Sequence, residues 1–239
     1  MPERNPPADA SELRLLSGVL CLDFVNTLDP RSGPWPVDFI RSVDDLIAWG
    51  RLADLLDDRD ARAIRSALRS DPRRSQQALD DALAVRELVF RTFVALARSS
   101  APDAADLREL SRRYHEASWC FELHHSDDVV RWSIAADRDP IERAVATILR
   151  SAVELLTSSR LERVKECAAE GECGWLFLDA TRSGTRRWCR MGGCGSRAKA
   201  RRHYARHVKS RASTSDGPTT PATGGGGRGH RPQPLDAPS

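Results

Sequence analysis

The chain has 239 residues, 40% of them hydrophobic and 30% charged, enough for one substantial core and a small satellite domain. No apolar run reaches the ~20 residues that cross a bilayer, and the acidic, proline-bearing opening MPERNPPADASELRLL is unlike a secretory leader, so a cytoplasmic protein without a membrane partner is expected. The net charge of +3 conceals a division: residues from 180 onward hold 13 Lys and Arg against two Asp, whereas the first 179 hold 24 basic against 32 acidic residues, which points to nucleic acid or another anionic surface as partner.

Residues 1–12 are expected to be disordered. The most apolar early stretch, LRLLSGVLCLDFVNTL at 13–28, should enter the core as a strand or a short helix. Asp23, Asn26 and Thr27 interrupt it, and two readings are open. They either line a small-molecule pocket or bond the local backbone at a turn or helix start. A proline- and glycine-bearing loop follows, and Ser42 to Asp45 resembles a capping box opening LIAWGRLADLL. DRDARAIRSALRS reads as a second helix. The stretch 75–100 reads as a long third one, with Leu79, Leu83, Leu88, Phe90 and Val94 on a broad buried stripe. Pro102 takes a first-turn position before DAADLRELSRRYHEAS. WCFELHH and VVRWSIA then alternate with period two around Ser126–Asp128 and read as a β-hairpin. Its neighbouring His124 and His125 face opposite ways, so they cannot serve one site. Asp139 and Pro140 open the helix IERAVATILRSAVELL, which closes a helical domain at 13–160. The polar, glycine- and proline-rich stretch 212–239 cannot bury a core and is expected to be a disordered tail.

Six cysteines stand at 21, 120, 167, 173, 189 and 194. Cys21 and Cys120 have apolar neighbours and read as inert core residues. The other four form two tight pairs, Cys167 with Cys173 and Cys189 with Cys194. Each pair can present its sulfurs from one bend of backbone, and together they suit a tetrahedral zinc site with about 2.3 Å to each sulfur. WLFLD and TRRW between the pairs read as two strands around an Arg-Ser-Gly turn. Residues 161–211 are therefore expected to form a treble-clef-like module that needs its metal to fold. Three other uses of these thiols stay open: a reduced buried set, a disulfide or redox pair, and a Cys2His2 site made by Cys189, Cys194, His203 and His207. Four thiolates leave no open coordination position, and the chain has no recognisable nucleophile motif or glycine-rich phosphate loop. No catalytic residue is assigned, and an enzyme is not expected.

Ser196 is placed to cap a final helix, RAKARRHYARHVKSR, and no acidic residue occurs between 180 and 215. A helix this charged gains little from packing and calls for counter-charge, which phosphates supply. The candidate nucleic-acid surface comprises Arg182, Arg186, Arg187 and Arg190 before the helix. From the helix it takes Ser196, Arg197, Lys199, Arg201, Arg202, His203 and Arg206. The fold class is mainly α: a helical N-terminal domain with a small β-hairpin, then a small zinc finger of β-hairpin and basic helix. Its expected function is DNA binding. A zinc-dependent adaptor docking on an acidic protein, or an RNA binder, would use the same patch.

The segment CGWLFLDATRSGTRRWCRMGGCGSRAKARRHYARH resembles the zinc finger named for its Cys-Gly-Asn-Arg motif. LCLDFVNTL is similar to the opening of the ABATE domain, a stress-linked regulator of transcription behind which that finger is fused. Together the resemblances span 13–211. They imply Zn2+ on Cys167, Cys173, Cys189 and Cys194, and DNA as the target. The helical domain would sense a signal, form a homodimer, or meet RNA polymerase or another regulator. A bacterial cytoplasmic protein that joins the nucleoid when bound is implied. The motif here reads Cys194-Gly195-Ser196-Arg197, with serine in place of asparagine, and the first knuckle, CAAEGEC, is one residue longer than in the family.

Overall fold

A computed structural model describes the backbone of residues 10, 13–126, 128–169 and 171–214, and all their side chains except those of 126 and 207–214. The ends expected to be disordered lie outside the described residues, apart from Ala10 and from 212–214, which continue the last helix. The chain divides into two units, one up to Ala198 and one from Lys199 onward.

The early apolar stretch forms α1 (Leu20–Val25), the short-helix alternative of the two expected. β1 (Leu28–Asp29) and β2 (Val37–Asp38) pair antiparallel. α2 (Val43–Leu52) starts at Ser42, whose hydroxyl accepts the Asp45 N–H at 3.1 Å. α3 (Asp58–Ser70) opens on a full capping box between Asp57 and Asp60. α4 (Pro72–Ala97) is capped by Asp71, with Pro72 in its first turn. α5 (Ala104–Ala117) starts later than expected: the Asp103 carboxylate accepts the Ala105 N–H at 2.6 Å, and this cap leaves Pro102 outside the helix. β3 (Phe121–Ser126) and β4 (Val129–Ile134) form the expected hairpin. α6 (Pro140–Leu156) begins at Asp139, which accepts from Ile141 and Glu142. β5 (Val164–Glu166), β6 (Leu176–Leu178) and α7 (Ser196–Thr214) complete the chain.

α4 is the hub of the helical body, in contact with α1, α2, α3, α5 and α6. Its buried face carries Leu79, Ala82, Val85, Val89 and Phe93 at helical spacing, with Leu83, Phe90 and Val94 half-buried at its margin. Phe24 of α1 packs on Trp49 of α2 with ring centroids 4.8 Å apart. α6 adds Ile141, Ala144, Ile148, Leu149, Ala152 and Leu155 from one face.

One member of the α4 stripe is an arginine. Arg86 is buried, and a buried cation is tolerated only when it is paired. Its guanidinium grips Asp38 of β2 through two bonds of 2.7 and 2.6 Å and also reaches Thr27 at 3.1 Å. Arg31 beside it donates to the Val25 carbonyl and to Glu87, and lies 4.3 Å over the Phe90 ring. These two cations bind the 25–38 segment to α4, and that segment carries the finger.

Candidate metal centre and basic helix

The hairpin of the finger differs from the one expected. β6 pairs with β5, in register Val164 to Leu178, Lys165 to Phe177 and Glu166 to Leu176, so the first two cysteines lie in the loop between these strands. Residues 185–188, expected as the second strand, form none. The buried Asp179 carboxylate claims them instead, accepting the Arg186 N–H at 2.9 Å together with the Thr181 N–H and the Lys165 ammonium. Burial alone would raise the pKa of this carboxyl, but the bonds from Lys165, Thr181 and Arg186 outweigh it and hold it below the usual carboxylate range. In β6, Leu176 and Leu178 face the core of the helical body and Phe177 faces the cysteines. The two-residue alternation of one short strand thus joins two apolar clusters.

Cys167, Cys173, Cys189 and Cys194 are all buried, and their sulfurs lie within 4.8 Å of one another. The Cys173–Cys189 and Cys189–Cys194 sulfur separations are both 3.7 Å. A disulfide needs about 2.05 Å, and all six cysteines are free. A tetrahedron of sulfurs about 2.3 Å from a metal has edges of about 3.8 Å, which these separations match. Hydrogen bonding among the sulfurs pushes the Cys173 and Cys189 thiols up and the Cys167 and Cys194 thiols down. Four neighbouring thiolates repel one another in a buried site unless a cation stands among them. The donor set therefore fits a thiophilic divalent metal. Trp175, Trp188 and Phe177 sheathe it, and the Cys189 N–H points at the Cys167 sulfur at 3.4 Å. Among the described residues the cluster contains cysteines alone, the first of the arrangements considered.

The helical body completes this centre from outside. Asn26, itself buried, grips Leu176 at both backbone groups. Its amide donates to the carbonyl at 2.8 Å, and its oxygen accepts the N–H at 3.0 Å. The Arg31 and Ser32 N–H groups converge on the Cys173 carbonyl at 2.6 and 3.2 Å. Gly174 takes φ of +68°, and a Cβ there would stand 2.6 Å from the Ser32 hydroxyl, so this approach needs glycine. Arg98 at the end of α4 makes a two-pronged pair with Glu166 of β5 at 2.6 and 2.7 Å. Asp23 accepts the Ser17 N–H at 2.9 Å, and the Thr27 hydroxyl donates to the Phe24 carbonyl at 2.8 Å. Asp23 and Thr27 thus bond backbone within six residues of themselves, whereas Asn26 bonds a strand 150 residues away.

Residues 18–159 match the ABATE family, described as "Putative stress-induced transcription regulator". The chain belongs to the ABATE family. Residues 163–207 match the CGNR zinc finger, so the cysteine cluster is the centre of that finger. No curated protein matches the chain.

The basic residues of this ABATE protein separate into two sets. Arg186 is turned into the finger: it donates to the Trp188 carbonyl at 2.9 Å and to that of Cys189, and sits 4.5 Å over Phe177. Arg197 donates to the Cys194 sulfur at 3.0 Å and stands 3.9 Å from Glu172. Both serve the centre rather than the outer surface. Arg187 covers the Trp188 ring at 5.4 Å and is exposed, as are Arg182 and Arg190. Ser196 is already helical, because the wound turn Met191–Gly195 precedes it; its hydroxyl donates to the Met191 carbonyl at 3.1 Å instead of capping. In the second unit Lys199, Arg201, Arg202, His203 and Arg206 are exposed along α7. The inward pair was hidden in the sequence, where every arginine of the acid-free segment looks alike.

Proposed function

We propose that the protein is a DNA-binding regulator of transcription whose four cysteines hold one structural Zn2+. The observation that carries this reading is the direct join between the closed centre and a cationic rod. Cys194 stands two residues before α7, which holds seven Lys and Arg between 196 and 214 and no acidic residue. Bound zinc contributes folding free energy of about 10 kcal/mol or more. Four cysteine ligands would leave no coordination position open to a substrate, so we assign the centre a structural role. Arg197 and the Cys189 N–H offset the negative charge of the sulfurs. Lys199, Arg201, Arg202, His203 and Arg206 then meet phosphates, and Arg182, Arg187 and Arg190 of the first unit are a separate candidate set. No helix among the described residues is long and apolar enough to cross a membrane. We place the protein in the cytoplasm, on the nucleoid when bound, with RNA polymerase or a second regulator as further partner.

The test is binding of the full, metal-loaded chain to duplex DNA over a range of salt. Each phosphate contact adds about 0.9 to the slope of log affinity against log salt. Replacing Arg201 and Arg202 with alanine should lower affinity for every sequence and flatten that slope by about one unit per lost contact. An unaltered slope rejects α7 as the contact. Preference for single-stranded RNA or for an acidic protein in competition would reassign the patch.

A further inference from the structure

The β3–β4 hairpin carries features that neither the metal centre nor α7 uses. Its register sets Phe121 opposite Ile134, Leu123 opposite Trp132 and His125 opposite Val130, so these residues share one face. Arg150 of α6 lies over Phe121 at 5.1 Å and over Trp132 at 5.4 Å, covering the base of that face. The rest is bare: Leu123 is 62% exposed, Val130 59% and Trp132 55%, and Trp119 at the root of the hairpin is 72% exposed. Among the described residues no third strand pairs with this hairpin. Ala135 donates to the Cys120 carbonyl at 2.9 Å, which phases the ladder. Glu122 and His124 therefore bond within the hairpin, and the N–H and C=O groups of Phe121, Leu123 and His125 point outward along the free side of β3. An unpaired, apolar strand edge is a template for another strand.

We propose that β3 is the contact between two copies of the chain, paired antiparallel about a twofold axis at Leu123. The phase of the ladder pairs odd residues with odd and even with even, which permits a centre at any residue of the strand, and the one at Leu123 keeps the most hydrogen-bonded pairs. In that register Leu123 faces Leu123 of the second copy, and Phe121 faces its His125. Glu122 faces His124 of the second copy twice over, a carboxylate against an imidazole N–H donor at the positions where side chains come closest. This order is self-complementary. The free edge of β4 offers no such match, because the corresponding register sets Arg131 against Ser133. Edge pairing covers Leu123 and the outward backbone groups of β3, whereas Val130 and Trp132 lie on β4, one strand further from the second copy, and extend the shared face without being covered by it. Pairing also turns a two-stranded ribbon, marginal alone, into a four-stranded sheet.

Sedimentation of the full, metal-loaded protein between about 1 and 100 μM tests this by mass action. A dimer is expected. Leu123→Lys sets two like charges on the axis and should weaken association at least about a hundredfold. Glu122→Lys should weaken it about tenfold, and adding His124→Glu should restore it by reversing both pairs. All three positions are exposed, so zinc content and circular dichroism should match the parent. A monomer at every concentration overturns the proposal. So does a dimer that Leu123→Lys leaves intact, or a charge reversal that fails to restore Glu122→Lys.

Discussion

Replacing Asn26 with alanine should loosen the metal centre without touching a sulfur. The side chain makes two bonds to Leu176, three residues beyond Cys173, and both residues are buried. Alanine leaves the Leu176 N–H and C=O unpaired in an apolar setting where water cannot replace the amide. Each orphaned group costs about 1–3 kcal/mol, so the pair costs about 2–6 kcal/mol. That is a large part of the 5–15 kcal/mol that stabilises most domains. Urea unfolding of the metal-loaded protein should show a midpoint lower by about 1–2 M. Zinc should also pass to a chromogenic chelator faster than from the parent. Asn26→Asp keeps the acceptor for the Leu176 N–H but sets a carboxylate against its carbonyl, so it should also destabilise. As a control, Leu149→Ala in α6 should lower the urea midpoint by cavity formation while leaving the chelator rate nearer that of the parent. The reasoning fails if Asn26→Ala unfolds within about 0.5 kcal/mol of the parent and yields zinc at the parental rate.

Three further outcomes follow from the same geometry. Cys189→Ser should remove stoichiometric zinc, measured by elemental analysis, and should also lower the urea midpoint of the helical body, because Leu176 and Leu178 of the finger belong to the body's core. An unaltered body would show that the shared core contributes nothing. Arg86→Ala should cost about 3–5 kcal/mol by leaving Asp38 and Thr27 without their partner, and Arg86→Met, which refills the space, should not restore the loss while Asp38 remains. Adding Asp38→Asn to Arg86→Met should recover part of it, as read in thermal unfolding. Burial pushes the Cys21 thiol up to about 12. At pH 8 only about one molecule in ten thousand then carries the thiolate, so iodoacetamide should label Cys21 in the unfolded chain and spare it in the folded one. Labelling of the native protein at a rate like that of free cysteine would contradict the burial.

Much of the plan is written locally. Caps at Ser42 and Asp139 depend on the residues within one helical turn, and the β3–β4 hairpin depends on a change of period, so both are readable from short windows. The four cysteines are legible for a related reason: thiolates in tight pairs suit a soft metal, so their pairing in sequence already signals their pairing in space. Arg86 also has a sequence signal, since it stands seven residues after Leu79 on the buried stripe of α4. What that spacing does not disclose is its partner, because Asp38 lies 48 residues away.

Sequence by itself therefore determined the helices, the cysteine tetrad and the accumulation of positive charge at the C-terminal end. These follow from periodicity, ligand chemistry and composition, which are properties of neighbours along the chain. Tertiary structure alone decided that β6 pairs with β5 instead of with residues 185–188. It also decided that Asn26, 150 positions away, braces the strand behind Cys173. The physical reason is that a buried backbone group takes whichever partner the fold brings within reach, and a buried carboxylate such as Asp179 outcompetes a short strand for its donors. The same rule sorts the arginines: Arg186 and Arg197 are drawn to carbonyls and sulfur inside the finger, and those along α7 keep their charge outward.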